Sequence, residues 1–284
     1  MLYFLIRRIL STANPLWKWK REKGMKKNFG PVVHLETVDS TNHYARDHFD
    51  DLTDGAMVSA DSQTSGRGRL GRNWVSPAGC NIYVSVVMKN CSSPFFATAA
   101  VGLSALEAIR EIAPESGVWL KWPNDLYIGH RKVSGMLSEG VSGGVIAGIG
   151  INVNMTRGEL DAIASPATSL AAECGRVFDR DAFFEILAGY IWNWYEIYRR
   201  NPAEVAAAWR LANGLIGREI VLIENGLETA GVVKGIADDG GLIFESAGVE
   251  RVVYAGDATV DKRSFKGACN DNNSDGNNQH NQKR

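Results

Sequence analysis

Between about residue 30 and residue 260, apolar positions fall alternately at a two-residue and at a three-to-four-residue spacing, which predicts strands and helices taking turns along the chain. Val32-Val33-His34-Leu35-Glu36-Thr37 reads as a strand, and Asp39-Ser40-Thr41 offers N-cap side chains for a short helix to about Phe49. Ala56 to Asp61 is a second strand, and Asn81 to Met88 alternates as a half-buried third. A long apolar helix is predicted from about Phe95 to Ile112. Four strands follow, Val118–Trp122, Asp125–Ile128, Lys132–Glu139 and Val145–Val153, with turns so short that hairpins are favoured over crossovers. Two helices, Arg180–Arg199 and Pro202–Asn213, come next, the second opening on a proline that a first turn tolerates.

After Gly214 the pattern changes to short strands at Glu219–Ile223, Thr229–Ile236, Leu242–Glu245 and Arg251–Tyr254, joined by Glu-Asn-Gly and Asp-Asp-Gly-Gly turns. This predicts a small SH3-like β-barrel. The expected organisation is a disordered basic extension over 1–29, a mixed α+β domain over 30–214, the barrel over 215–264 and a disordered polar tail over 265–284. Residues 1–28 hold eight Lys/Arg against one acidic residue, and a translation start at Met25 would account for them. Leu2–Ile6 is apolar but is broken by Arg7-Arg8, far short of the roughly 20 residues a spanning helix requires.

Composition narrows the chemistry. A net charge of −1 provides no global field toward nucleic acid or an acidic membrane, so cations must act locally. Cys80, Cys91, Cys174 and Cys269 are scattered without a Cys-x-x-Cys pair, which points to reduced thiols in the cytoplasm. His43 and His48, without a cysteine or carboxylate set beside them, read as surface residues, and no metal site built from protein groups alone is expected.

Ser65-Gly66-Arg67-Gly68-Arg69-Leu70-Gly71-Arg72 packs three guanidiniums and three glycines into one loop. Glycine lets backbone N–H groups converge on an anion, and arginine matches phosphate or carboxylate oxygens two at a time. Gly148-Ile149-Gly150 lies in a strand pattern with no helix after it, so it marks the close approach of a ligand or backbone instead of a dinucleotide fingerprint. Three more segments join the loop: Asp39-Ser40-Thr41-Asn42, Lys121-Trp122-Pro123-Asn124-Asp125-Leu126 and Arg131-Lys132-Val133-Ser134-Gly135-Met136-Leu137. With Gln63-Thr64-Ser65 leading into the loop, and in this order, they resemble the catalytic domain of biotin protein ligases over about residues 32–260.

That resemblance implies a class II synthetase-like domain with a mixed, mostly antiparallel sheet, and a two-step reaction. Biotin and ATP form biotinyl-5′-adenylate and pyrophosphate, and a lysine of a biotin carrier protein, such as that of acetyl-CoA carboxylase, then attacks the anhydride. By resemblance, Ser40, Thr41, Asn42, Gln63, Arg67, Gly68, Arg69, Lys132 and Gly135 hold biotin. Gly66, Arg69, Arg72, Trp74, Asn124, Asp125 and Lys132 meet ATP or the adenylate, with Trp74 packing on adenine. Lys132, Arg69 and Asp125 are the catalytic candidates: Lys132 bridges carboxylate and α-phosphate, and Asp125 contacts Mg²⁺ carried by ATP or serves as base for the incoming lysine. The family's regulatory branch carries an N-terminal helix-turn-helix domain, which 29 residues cannot hold, so no DNA partner is expected. A homodimer is left open. Competing readings are a lipoate or octanoate ligase or transferase of the same fold, whose linear acid does not need the polar contacts of Ser40, Thr41 and Gln63, and a nucleic-acid-binding module using the basic leader and loop.

Overall fold

A computed structural model describes residues 29–260. Most of the predicted basic extension, residues 261–264 of the predicted barrel, the polar tail and Cys269 lie outside the described residues.

Seven strands form one sheet: β1 (Val32–Val38), β2 (Met57–Gln63), β3 (Ile82–Lys89), β4 (Trp119–Lys121), β5 (Asp125–Ile128), β6 (Arg131–Val141) and β7 (Gly144–Ile151), in the order β1-β2-β3-β7-β6-β5-β4. Only β1 and β2 pair in parallel, across the helix α1 (Thr41–Asp47) that links them. The rest is antiparallel, and β4 to β7 form the predicted run of hairpins.

Both faces of this sheet are covered. On one, the long helix α2 (Pro94–Ile112) packs against β6 and β7 and carries α5 (Arg180–Arg200) and α6 (Pro202–Ala212) on its outer side. Ser93 caps α2 and Asp179 caps α5, each accepting from first-turn N–H groups. On the other face, α1 packs over β2, β3 and β7 around a smaller cluster of Ala45, Phe49, Val58, Val87 and Ile146. β3 is therefore not half-buried as its alternation predicts: Val84, Val86 and Met88 face α2, while Val87 and Ser85 face α1, and all are buried. A polar residue at alternate positions can mark a covered polar network as well as solvent.

Two five-residue helices escaped the sequence reading, α3 (Arg157–Asp161), with a Thr156/Glu159 capping box, and α4 (Leu170–Cys174). At α1, Ser40 is the N-cap residue but makes no side-chain capping bond, contrary to expectation. Instead, the Thr41 N–H donates to Gln63 Oε1 at 2.9 Å. His43 is exposed, as the sequence predicts; it lies between Asp39 and Asp47, and the hydrogen bond with Asp39 raises its pKa.

The second sheet is antiparallel and five-stranded: β8 (Glu219–Glu224), β9 (Leu227–Ile236), β10 (Leu242–Ser246), β11 (Val249–Val253) and β12 (Asp257–Val260), in the order β11-β10-β9-β8-β12. Its apolar face merges with the core beneath α2. Trp122, fully buried, spans the junction by donating from Nε1 to Gly240 O at 2.9 Å. No helix among the described residues is long and apolar enough to cross a membrane.

Candidate active site

A cavity of about 720 Å³ opens on the α1 face of the large sheet. Its floor is laid by β6 and β7, where Gly135 pairs with Gly150 and Leu137 with Gly148. Both β7 glycines are needed because side chains lie on them: a Cβ at Gly148 would sit 2.2 Å from Asn42 Oδ1, and one at Gly150 would sit 2.4 Å from Trp74 Nε1. The close approach predicted for Gly148-Ile149-Gly150 is thus made by two side chains.

One end of the cavity is lined by neutral polar groups. Gln63 Oε1 accepts from Thr41 N–H, and Gln63 Nε2 donates to Ser76 Oγ at 2.9 Å, which donates on to Trp74 O at 3.0 Å. Ser85 Oγ donates to Asn42 Oδ1 at 2.6 Å and lies 2.8 Å from Thr41 Oγ1. Asn42 Nδ2 donates to Leu137 O at 3.1 Å and to Glu139 Oε2 at 2.8 Å, so every polar atom of its side chain is already engaged. Ser40, Thr41 and Asn42 are all buried.

The other end is charged. Lys132 and Gly135, three residues apart, would face opposite sides of a regular strand. A register shift in the β5–β6 ladder, where Leu126 pairs with Ser134 but Tyr127 with Lys132, lets both line the cavity. Lys132 Nζ then stands 2.6 Å from Asp125 Oδ1 and 5.4 Å from the centre of the Trp74 ring. Its backbone is gripped by the segment before α4, donating to Pro166 O at 3.0 Å and accepting from Thr168 N–H at 2.8 Å. Lys121, opposite Asp125 on β4, is buried, with Nζ 3.5 Å from Tyr127 Oη. Burial pushes the Lys121 pKa down, and the nearby Lys132 charge adds to this against the pull of Asp125. Burial raises the Tyr127 hydroxyl pKa.

The Arg/Gly loop forms the rim. It folds back on itself, with Gly68 N–H donating to Arg72 O at 2.7 Å and Arg72 N–H to Arg69 O at 3.2 Å, around left-handed Leu70 and Gly71. Those two N–H groups are turned inward and do not converge on the cavity as the glycine content suggested. The guanidiniums diverge: Arg67 approaches Glu139 at 3.5 Å, Arg69 Nη1 donates to Asn124 Oδ1 at 3.0 Å, and Arg72 pairs with Asp257 on β12. Burial opposes the Asp257 charge, but the hydrogen bond and charge of Arg72 outweigh it and hold that carboxyl below its ordinary range.

Nearly all of the predicted residues therefore line one cavity: Ser40, Thr41, Asn42, Gln63, Arg67, Gly68, Arg69, Arg72, Trp74, Asn124, Asp125, Lys132 and Gly135. Gly66 does not. It stands behind the wall, where a Cβ would lie 2.4 Å from Trp74 O. Residues not singled out from the sequence also reach the cavity, including Lys121, Tyr127, the 162–167 segment and, from the second sheet, Ile223, Asp257, Ala258 and Thr259. Lys121 stood within a recognised motif; the second-sheet residues belong to strands with no chemical pattern of their own.

Residues 34–156, which contain the loop, the Trp-Pro-Asn-Asp segment and Lys132, match the biotin/lipoate A/B protein ligase family. The biotin–acetyl-CoA-carboxylase ligase of Paracoccus denitrificans is 31% identical over 236 residues, 78% of this chain and 97% of the relative. The chain belongs to the biotin/lipoate A/B protein ligase family. The bifunctional ligase/repressor BirA of Escherichia coli is 31% identical over 243 residues, 81% of this chain and 74% of the relative. The biotin protein ligase of Aquifex aeolicus, solved in complex with biotin and ATP, superimposes with a TM-score of 0.72 at 30% identity, covering 82% of this chain and 99% of that one.

Proposed function

We propose that the chain is an ATP-dependent biotin protein ligase, which forms biotinyl-5′-adenylate and transfers biotin to a lysine of a biotin carrier protein. The observation that carries this reading is a single cavity with a neutral polar end and a cationic end, joined by Lys132. A ureido ring needs neutral donors and acceptors, which Ser40, Thr41 and Gln63 supply at the buried end. A linear lipoyl or octanoyl chain does not, and the Paracoccus denitrificans relative and the Aquifex aeolicus structure named above are biotin ligases. Asn42, with its amide fully engaged, shapes this end without bonding to the ligand.

In the first step a carboxylate attacks the α-phosphorus, so two anions must be brought together. Positioning and charge neutralisation supply most of the catalysis, with no protein nucleophile. Lys132 is the bridging cation, and on binding it exchanges Asp125 for ligand oxygens. Arg69 and Arg72 approach the phosphates from the rim, and Trp74 moves from the glycine floor onto the adenine. Asp125, which lines the cavity, would supply a protein carboxylate to Mg²⁺ carried by ATP, and the ion would help neutralise the phosphate charge. In the second step Asp125 takes the proton of the attacking carrier amine. The reaction uses one cavity in one chain and calls on no DNA, and its compartment is the cytoplasm.

Pyrophosphate exchange into ATP with biotin, lipoate, octanoate or no acid tests the reading. Exchange with biotin alone is expected; exchange driven by a linear acid would transfer the assignment to the lipoate branch.

A further inference from the structure

Glu139 was not among the predicted binding residues, yet three separately folded pieces of the site meet at its carboxylate. It projects from β6 on the cavity face, opposite Ile146 of β7, and its side chain is only 16% exposed. Oε2 accepts from Asn42 Nδ2 at 2.8 Å, and Oε1 accepts from Arg46 Nη2 at 2.7 Å. The Arg67 Nη1 of the rim loop approaches the same Oε1 at 3.5 Å. Burial works against the charge on Glu139, but the hydrogen bonds from Asn42 and Arg46 and the two guanidinium charges overcome it and hold its pKa below the ordinary glutamate range.

We propose that Glu139 is a positioning residue that ties the Arg/Gly loop to α1 and the cavity floor, setting the loop's place over the ligand by neutralising two arginines that otherwise repel. The geometry makes this more than a local ion pair. Arg46 and Arg67 share one carboxylate oxygen, so removing the negative charge leaves two like charges face to face. Arg46 is fixed on a helix packed on the sheet, whereas Arg67 sits on a rim loop with a half-exposed side chain. The loop is the part that yields. Glu139 acts through Arg67 and Asn42; where it bears on biotin affinity, it rests on the function proposed above.

The test uses Glu139→Gln, which keeps an oxygen to accept from Asn42 while deleting the charge. Limited trypsin digestion reads the loop directly at Arg69 and Arg72, whether or not the enzyme is active. Cleavage there is expected to run about tenfold faster than in the wild type, with biotin KM up about tenfold and kcat changed less than about twofold. Adding Arg46→Met removes the repelling partner and should restore most of the protection and of the KM. A purely structural role for Glu139 predicts further damage instead. Wild-type cleavage in E139Q, or no recovery in the double variant, would overturn the proposal. Should E139Q fail to fold by circular dichroism, Arg67→Gln replaces it: faster cleavage at Arg69 and Arg72 supports the proposal and an unchanged rate defeats it. An absence of biotin-dependent exchange in the wild type would sink the proposed function and leave the loop result standing.

Discussion

The two ends of the cavity are built on different plans. At the neutral end, Thr41, Asn42, Gln63, Ser76 and Ser85 bond to one another and to backbone within a single sheet and its helix. At the charged end, Lys121, Lys132, Asp125, Arg69, Arg72 and Asp257 come from four strands and a loop drawn from both sheets, and Lys121 is buried opposite Asp125. The neutral end is largely hydrogen-bonded before any ligand arrives, which favours a rigid, shape-selective pocket. On the proposed function, the charged end would lower the cost of assembling polyanions by holding cations in place beforehand, with part of that borne as folding stability.

The comparison can be broken most sharply at the charged end. Lys132→Ala should lower biotin-dependent pyrophosphate exchange by up to about a thousandfold, the upper range for deleting one electrostatic group. Calorimetry should show biotin binding retained within about tenfold, and a near-normal exchange rate would remove Lys132 from the chemistry.

Gly148→Ala attacks the other end. The new Cβ would lie 2.2 Å from Asn42 Oδ1, so Asn42 must shift within its closed set of bonds. Overpacking of about 1–3 kcal/mol corresponds to a rise in biotin KM of roughly 5- to 150-fold, with ATP KM near its wild-type value. Equal rises in both would show that the ends are not independent.

Asp257→Asn tests whether the second sheet matters to the charged end. Its pair with Arg72 is substantially exposed, so an effect of about two- to fivefold on ATP KM is expected, with biotin KM unmoved. The smallest effect concerns stability. Because the folded-state pKa of Lys121 lies below its unfolded value, the unfolded chain holds that proton more tightly, and wild-type stability rises with pH toward the ordinary lysine value. Lys121→Met should raise Tm at neutral pH by about 2–4 °C, an advantage that shrinks as pH rises toward about 10.4 and is gone above it. A Tm lowered at pH 7 would show that the buried ammonium is a net stabiliser.

Much of the fold could be read locally. β5 appears at the predicted residues because the Pro123-Asn124 turn and Gly129 bound it, and α2 within one residue of the prediction because its long apolar period is uninterrupted. α3, α4 and β12 were not legible, since four or five residues are too few for a period to show. The binding loop was visible in composition, but its internal hydrogen bonding was not.

The amino-acid sequence by itself determined the order of elements, the presence of an α+β sheet followed by short strands, and the four motifs whose side chains meet in the cavity. These depend on spacing and turn chemistry over a few residues. Tertiary structure alone decided that a register shift turns Lys132 and Gly135 to the same side, that β7 glycines receive Asn42 and Trp74, that Gly66 stands behind the wall, and that Asp257 arrives from another sheet. Each of these depends on which strand lies beside which. Such neighbours are set by burying both faces of one sheet and joining a second to its core, not by any local run of residues.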